Sequence, residues 1–390
     1  MEVSFIYTIW LKKGSYNYNM NKNNYVAIMA GGIGSRFWPI SRTDYPKQFL
    51  DILNTGRTLI QATFDRFAKF IPAENIYIIT FEQYKDIVAK QIPELPVENI
   101  LCEPSRKTTA PCVAYISYKL QKKNTNANLI CAPADHIISD QEGFEKVCKD
   151  ALQFTAHIKG LLTLGIKPTH PNTGYGYIQY EQHAVSDNVY KVKTFTEKPD
   201  RELAKTFIAS GDFLWNAGIF VWQVKNIIKA FEKHLPELAE VFEAEKQHSN
   251  TKKEKNATER IYPLCVNISF DYGVMEKADN VYIIPSSFGW SDLGTWSSIY
   301  ENLEKDYLGN AVAGDHVMVI DATNNVIHAD NKKLVLLQGL DDFVVVDTHD
   351  VLLICKKEKE QEIKEYVAEI KRNKGDKYIE TSSVDSGYTK

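Results

Sequence analysis

Apolar and polar positions alternate in two rhythms along the first 164 residues. The short apolar runs YVAIMA (25–30), NIYIIT (75–80), NILC (99–102) and NLICAPADH (128–136) are bounded by turn residues and are too short for helices, so they predict buried strands. Between them, apolar residues recur at helical spacing. Ile60, Thr63, Phe64, Phe67, Ala68 and Ile71 follow Thr58, a candidate N-cap. Pro111 falls in the first turn of a second helix, and Phe144, Val147, Cys148, Ala151 and Leu152 share one face of a third. This β-α-β-α order predicts a parallel sheet covered on both faces.

From Leu161 the strands crowd together: LLTLGI, GYGYIQY, YKVKTFTE and AGIFVWQ read as an antiparallel or mixed insertion beside the first sheet. A helical stretch over 223–262, rich in Glu and Lys, reads as a solvated face. From Leu308, the runs HVMVID, NVIHAD, KLVLLQG, FVVVDT and VLLICK recur at intervals of roughly ten residues, with Asn and Asp pairs between them, which predicts a small β-roll or β-helix. A closing helix follows, with Ile363, Tyr366, Val367 and Ile370 on one side. The pattern thus divides the chain into an N-terminal extension (1–20), an α/β domain (21–302), a β-rich domain with its closing helix (303–373) and a flexible polar tail (374–390).

The extension carries a largely apolar stretch from Val3 to Leu11, but Glu2 precedes it and no small-residue cleavage site follows, unlike a signal peptide. Met20 is a candidate native start, because the first strong strand begins only at Tyr25; the part of the extension before it would then not be native. A net charge of −4 speaks against a broad nucleic-acid surface, and no apolar run is long enough to span a bilayer. The six cysteines form no C-x-x-C pair and sit mostly in apolar runs, as expected of reduced core thiols in a cytoplasmic protein.

The candidate chemistry begins with AGGIGSRFWPISRTDYPKQFL (30–50). Gly31, Gly32 and Gly34 follow a buried strand, where backbone N–H groups can approach an anion closely. The stretch is not a dinucleotide fingerprint, since Phe37 replaces the third glycine, nor a P-loop, since Arg36-Phe37 stands where Gly-Lys-Ser/Thr would close it. Arg36 offers a planar fork and Lys47 a point charge, a pairing suited to a polyphosphate. A tight strand-to-helix turn with two surface cations is the plain alternative. Asp135, in CAPADHII, ends a strand where open α/β sheets bind ligands, and Asp292 lies in FGWSDLGTW. Two carboxylates beside a polyphosphate loop fit Mg²⁺, although either Asp alone suits a turn or cap equally well. His136 has no partner at metal-ligand spacing and reads as structural. Glu197 and Lys198 in TFTEKP suit sugar hydroxyls and a phosphate, or simply form a charged turn. Asn216 in FLWNAGIF needs a partner in its apolar setting, either a hydroxylated ligand or a backbone turn.

Taken together, GGIGSRFWPISR, PKQFL, EPSRKTTAP, PADH, PNTGYGYI, FTEKP, WNAGIF, SFDYGVMEK and GWSDLGTW resemble, in order over residues 25–356, the sugar nucleotidyltransferases, and within them the mannose-1-phosphate guanylyltransferases. The resemblance implies a Rossmann-like nucleotidyltransferase core with a mixed sheet, followed by the small β-roll or β-helix-like domain. It implies transfer of GMP from GTP to mannose 1-phosphate with Mg²⁺ as cofactor, in a homodimer. Arg36 and Lys47 would meet the GTP phosphates, and Gly31, Gly32, Gly34, Glu103 and Thr108 would lie at the nucleotide. Asp135 and Asp292 would hold the metal. Gly176, Glu197, Lys198, Asn216 and Asp271 would surround the sugar phosphate. A carboxylate at Glu103 suits guanine, whose N1–H and N2–H₂ are donors. Thr108 departs from the Asn usual in the family at that position. Many bacterial relatives add a histidine-rich isomerase domain; no histidine follows His349, so a single activity is expected. The resemblance leaves two alternatives: another sugar 1-phosphate or NTP as substrate, or a non-catalytic GDP-mannose-binding regulatory subunit.

Overall fold

The structure, a computed structural model, describes residues 20–330 and 332–380; residues 1–19 of the expected extension and residues 381–390 of the expected tail lie outside it. The first half alternates as the pattern predicts. The order is β1 (Asn24–Met29), α1 (Leu59–Ala68), β2 (Ile76–Phe81), α2 (Lys85–Gln91), β3 (Ile100–Glu103), α3 (Thr109–Lys123), β4 (Asn128–Pro133), the short β5 (Ile137–Ile138) and α4 (Gln141–His157). Local chemistry starts these helices. Thr58 caps α1 reciprocally with Gln61, the two-way bond of a capping box, and Asp140 accepts from Gly143 N–H at the start of α4.

The second half of the domain adds β6 (Leu161–Ile166), β7 (Gly176–Ser186), β8 (Val189–Glu197), α5 (Arg201–Ser210), β9 (Phe213–Gln223), α6 (Val224–His234), α7 (Pro236–Glu245), α8 (Glu254–Ile261), β10 (Val281–Ser286), β11 (Trp290–Ser291) and α9 (Trp296–Asn302). Its strands do not form a separate layer. They extend the first sheet into nine strands in the order β3-β2-β1-β4-β9-β6-β10-β8-β7. The mixing enters at β9, which runs antiparallel to β4 with Asn128 opposite Gln223. Buried apolar clusters fill both faces of the sheet, one including Tyr77, Trp222 and Phe270, the other Ile28, Phe67 and Phe144. The predicted helical stretch over 223–262 is three helices, because Pro236 opens one of them and a Ser249–Thr251 turn precedes the next.

The strand order reverses beside β1: the chain runs outward through β2 and β3, then returns to place β4 on the other side. Such a reversal leaves a crevice at the carboxyl ends of the two neighbouring strands, here Met29 of β1 beside Pro133 of β4. The glycine loop leaves β1 there and Asp135 follows β4.

The C-terminal region contains β12 (Ala311–Ala313), β13 (Val317–Ile320), β14 (Val326–Ala329), β15 (Val335–Gln338), β16 (Phe343–Asp347), β17 (Leu352–Lys356) and α10 (Ile363–Lys374). Neighbours in sequence do not pair there, except β16 with β17. β12 pairs with β14, β14 with β16 and β13 with β15, all parallel, which is the coil of a β-helix. Asn310 and Asn325 stack in its interior, Asn325 Nδ2 donating to Asn310 Oδ1 at 2.9 Å. The coil packs directly on the side that carries the glycine loop: Phe37, Trp38, Leu293 and Trp296 share one buried cluster with Val326, Val344, Val346 and Ile363.

The described part of the expected tail, residues 374–380, makes contacts of its own. The tail expected to be loose from residue 374 is docked through Ile379, which is buried, while Tyr378 carbonyl accepts from Trp38 Nε1 at 2.7 Å. A single apolar residue in a polar stretch carries no periodicity, and its seat is on a remote loop.

Candidate active site

The glycine loop turns on Gly34, whose φ of 65° lies in the left-handed region that favours glycine. A Cβ there would stand 2.6 Å from Lys47 Cβ, so the turn and the lysine are fitted to each other. The loop is held from below by side-chain donors. Gln48 Nε2 donates to Ala30 and Gly32 carbonyls at 3.1 and 3.0 Å, and Ser41 Oγ donates to Ile33 carbonyl at 2.7 Å. Arg36 lies in the 3-10 turn that follows Gly34, and its Nε is buried without a hydrogen-bond partner among the described residues.

Lys47 is buried, yet its ammonium is surrounded by oxygen. It pairs with Asp135 Oδ2 at 2.8 Å and donates to the Asp292 and Leu293 carbonyls at 3.1 and 2.9 Å, with the Phe37 ring centroid 5.2 Å away. Asp135 and Asp292, far apart in sequence, thus meet at one cation. The device that joins them is the two-stranded pairing of β5 with β11, Ile138 opposite Trp290 and Ile137 opposite Ser291. Each aspartate lies close outside this pair. Burial opposes the charge of Asp135, but Lys47 and His136 hold its carboxyl below the usual value. His136 itself is lowered by burial and accepts from Trp290 Nε1 at 3.1 Å, a structural contact.

Asp292 Oδ1 accepts from Tyr175 O–H and Gly294 N–H, both at 2.8 Å. Burial and the Asp292 carboxylate push the Tyr175 phenol up, so it remains a donor. Tyr175 leads into β7, where Gly176 lies opposite Glu197 of β8. A Cβ on Gly176 would fall 2.3 Å from Glu197 Oε2, so only glycine leaves room for that oxygen. Glu197 Oε1 pairs with Lys198 Nζ at 2.8 Å; Oε2 is buried with no partner among the described residues. Burial opposes the charge on Lys198, but the bond to Glu197 prevails and holds its pKa above the usual value.

Asn216, in β9, is fully engaged. Its Oδ1 accepts from Thr163 Oγ1 and Gly218 N–H, and its Nδ2 donates to Asp271 Oδ1 at 2.9 Å. Burial and the nearby Glu197 carboxylate raise Asp271 to about 6, against the Asn216 hydrogen bond. Gly176, Glu197, Asn216, Asp271, His136 and Asp292 line one cavity of about 210 Å³. Larger hollows of about 620 to 700 Å³ lie elsewhere, but this one gathers the converging carboxylates.

The expected base contacts stand on the other side of the loop. Glu103 ends β3, buried, with Tyr262 O–H donating to Oε1 at 2.6 Å; a Cβ on Gly31 would come 3.6 Å from Oε2. Burial raises Glu103 to about 7, and the Tyr262 hydrogen bond only partly offsets it. Gly32 is exposed with open space around it. Thr108 is exposed at the head of α3, where its N–H donates to Asn267 Oδ1 at 2.8 Å and its side chain makes no cap bond. Sequence reasoning missed Tyr175, Thr163 and Tyr262. Tyr175 lay in view within PNTGYGYI; the other two carry no local signal.

The donors present fit Mg²⁺. Asp135 and Asp292 offer carboxylate oxygens, and the Lys47 ammonium held by the Asp135 carboxylate and the Asp292 carbonyl shows that the site accepts positive charge. Among the described residues no group of three or more His, Cys, Asp or Glu side chains forms a cage, so the remaining ligands would have to be substrate and water oxygens.

The nucleotidyl transferase family profile matches residues 25–307, and that of the MannoseP isomerase/GMP-like beta-helix domain matches residues 314–370. The chain is 38% identical over 352 residues to mannose-1-phosphate guanylyltransferase of Salmonella montevideo, covering 88% of this chain and 73% of that one. It is 37% identical over 345 residues to alginate biosynthesis protein AlgA of Pseudomonas putida, covering 87% and 70%. Its backbone matches the crystal structure named mannose-1-phosphate geranyltransferase from Thermus thermophilus with a TM-score of 0.81 at 30% identity, over 90% of this chain and 99% of that one. The chain therefore belongs to the nucleotidyl transferase family, among the enzymes named mannose-1-phosphate guanylyltransferase.

Proposed function

We propose that the chain transfers GMP from GTP to α-D-mannose 1-phosphate, giving GDP-mannose and pyrophosphate. The observation that supports this reading is that Lys47 binds both the Asp135 carboxylate and the Asp292 carbonyl, while Asp292 lines one cavity with Glu197, Asn216 and Asp271. A triphosphate at the first group and a sugar phosphate in the second would be neighbours.

A phosphate oxygen of mannose 1-phosphate attacks the α-phosphorus of GTP. The new P–O bond forms as the bond to the β-phosphate oxygen breaks, and the electron pair leaves with pyrophosphate. The nucleophile is already an anion, so no general base is needed. The difficulty is bringing two anions together in line, and orientation alone is worth on the order of 7–11 kcal/mol in intramolecular models. Mg²⁺ held by Asp135 and Asp292 would neutralise charge on the α-phosphate and the leaving group.

The chain's own residues supply the rest. Arg36, whose Nε has no partner among the described residues, and Lys47 would face the charge that develops on pyrophosphate. The unpartnered Glu197 Oε2 is suited to accept from a sugar hydroxyl, and Lys198 balances the sugar phosphate. Tyr175 fixes Asp292 and leads directly into the sugar pocket, so the two halves of the site are mechanically continuous. Glu103 beneath Gly31 reads the donor edge of guanine.

The experiment is direct. Pure protein incubated with GTP, mannose 1-phosphate and Mg²⁺ should release pyrophosphate and form GDP-mannose, identified by mass. Binding of GDP-mannose without any turnover would replace this reading with that of a regulatory subunit.

A further inference from the structure

Arg42 lies just beyond the phosphate loop and touches none of the groups assigned to substrate. It is buried, yet each of its three guanidinium nitrogens donates a hydrogen bond. Nε donates to Pro39 carbonyl at 2.6 Å, Nη1 to Tyr378 carbonyl, and Nη2 to Asp350 Oδ1 at 2.7 Å. Three stretches of chain therefore meet at one side chain: the active-site loop, the turn that follows β16, and the segment after α10.

Neighbouring contacts reinforce the junction. Trp38 Nε1 donates to the same Tyr378 carbonyl, and Thr43 N–H donates to Ile379 carbonyl at 3.0 Å. Asp350 is itself fixed by Thr348 Oγ1 at 3.1 Å. Behind them Tyr366, Val367, Ile370 and Tyr378 pack on the cluster of Phe37 and Trp38. From Phe37 the contacts lead straight to the chemistry, for its ring lies 5.2 Å from Lys47 Nζ and 5.5 Å from the Trp296 ring.

We propose that Arg42 is a positioning residue: with Asp350 and the backbone of residues 378–379 it clasps the active-site loop to the C-terminal domain, and so holds Arg36 and Lys47 in register with the reacting phosphates. The kinetic half of this inference rests on the function proposed above; the structural half does not. A planar, five-donor guanidinium is required because the three acceptors lie in different directions, and a lysine ammonium cannot reproduce that fork. The clasp also gives the β-helix a role in catalysis without placing any of its residues at substrate.

The test uses Arg42→Lys, Asp350→Asn and a chain ending at Lys374, each confirmed folded by its melting transition. Hydrogen exchange of the wild type and each variant, without substrate, is read first, peptide by peptide. Exchange across residues 31–48 should quicken in all three variants, while the strands at the centre of the nine-stranded sheet keep their protection. In steady-state assays kcat should fall roughly 10- to 100-fold, the range found for outer-shell partners of a site, with KM for mannose 1-phosphate changing less than about 3-fold. Arg42→Lys combined with the shortened chain should be no worse than the more damaging of the two, because one junction is broken twice. Unchanged exchange over 31–48 overturns the clasp whatever the enzyme's substrate. Faster exchange with unchanged kcat overturns its catalytic role. A wild-type protein that makes no GDP-mannose refutes the proposed function, while the exchange result still decides the clasp.

Discussion

Lys47 Nζ stands 2.8 Å from Asp135 Oδ2, so the ammonium proposed to meet phosphate is bonded to a carboxylate proposed to meet metal. The half-buried carboxylate satisfies the charge of the buried ammonium. Replacing Lys47 by Met keeps the stem and removes the charge. We expect kcat to fall on the order of 10²–10³-fold, the usual cost of losing one charge-stabilising group, with a smaller change in KM for GTP. A change confined to KM would make Lys47 a ground-state binding residue.

The same contact bears on metal binding. With Lys47→Met, Asp135 has no competing cation, and Mn²⁺ measured by electron paramagnetic resonance without nucleotide should bind at least several-fold more tightly than to wild type. Asp135→Asn and Asp292→Asn should each abolish that gain and shift the Mg²⁺ dependence of turnover to higher concentration. A fully active double mutant would remove the metal assignment.

Tyr175 O–H orients Asp292 at 2.8 Å. Tyr175→Phe deletes only that donor. Apparent Mg²⁺ affinity should weaken roughly 10-fold or more, as for other outer-shell partners, without loss of thermal stability comparable to a core deletion. An unchanged Mg²⁺ titration would show that Asp292 needs no such guide.

Gly34→Ala places a Cβ where φ is 65° and Lys47 Cβ would be 2.6 Å away. The left-handed backbone costs about 1–2 kcal/mol for an L-residue, and the clash adds to it. We expect a lower melting temperature together with a loss of turnover out of proportion to it, since the residue displaced is Lys47. Gly32→Ala, which meets open space, is the control and should melt as wild type does.

The pKa of Glu103 gives a pH test with two opposite signs. Its folded value of about 7 lies above its ordinary 4.5, so the fold prefers the protonated form. This group's contribution to stability is therefore full below about 4.5 and is lost as pH rises through about 7. With Glu103 as the proposed guanine contact, binding should run the other way, because the N1–H and N2–H₂ donors need the ionised carboxylate. GDP-mannose, which has no group of its own titrating there, should bind about 10-fold more weakly for each unit below pH 7. Glu103→Gln should flatten both profiles. Flat binding in wild type would leave Glu103 as a partner for Tyr262 alone.

Periodicity was enough to find the four long strands of the parallel half and its helices α1, α3 and α4, since each buried strand is one continuous apolar run; the seven-residue α2 was missed, being too short to show a helical repeat. It was not enough to show that the insertion continues the same sheet, because pairing of β9 with β4 joins residues nearly a hundred positions apart. Nor did it foresee that β13 would skip its sequence neighbour and pair with β15. Among site residues, the glycines, Arg36, Lys47 and both aspartates were visible as charges beside turns in apolar surroundings. That both aspartates serve one site was expected from their chemistry and the resemblance, but the pairing of β5 with β11 that brings them to Lys47 was not legible, because each strand is two residues long. Tyr262 and Thr163 act across the fold and read as core residues in any local window.

The most direct test is a substrate panel: four NTPs against mannose, glucose and other sugar 1-phosphates, with kcat/KM from pyrophosphate release. GTP with mannose 1-phosphate should lead every other pair, and Lys47→Met should lower that rate without changing the ranking. A preference for another base or sugar, or no release with any pair, would contradict the account.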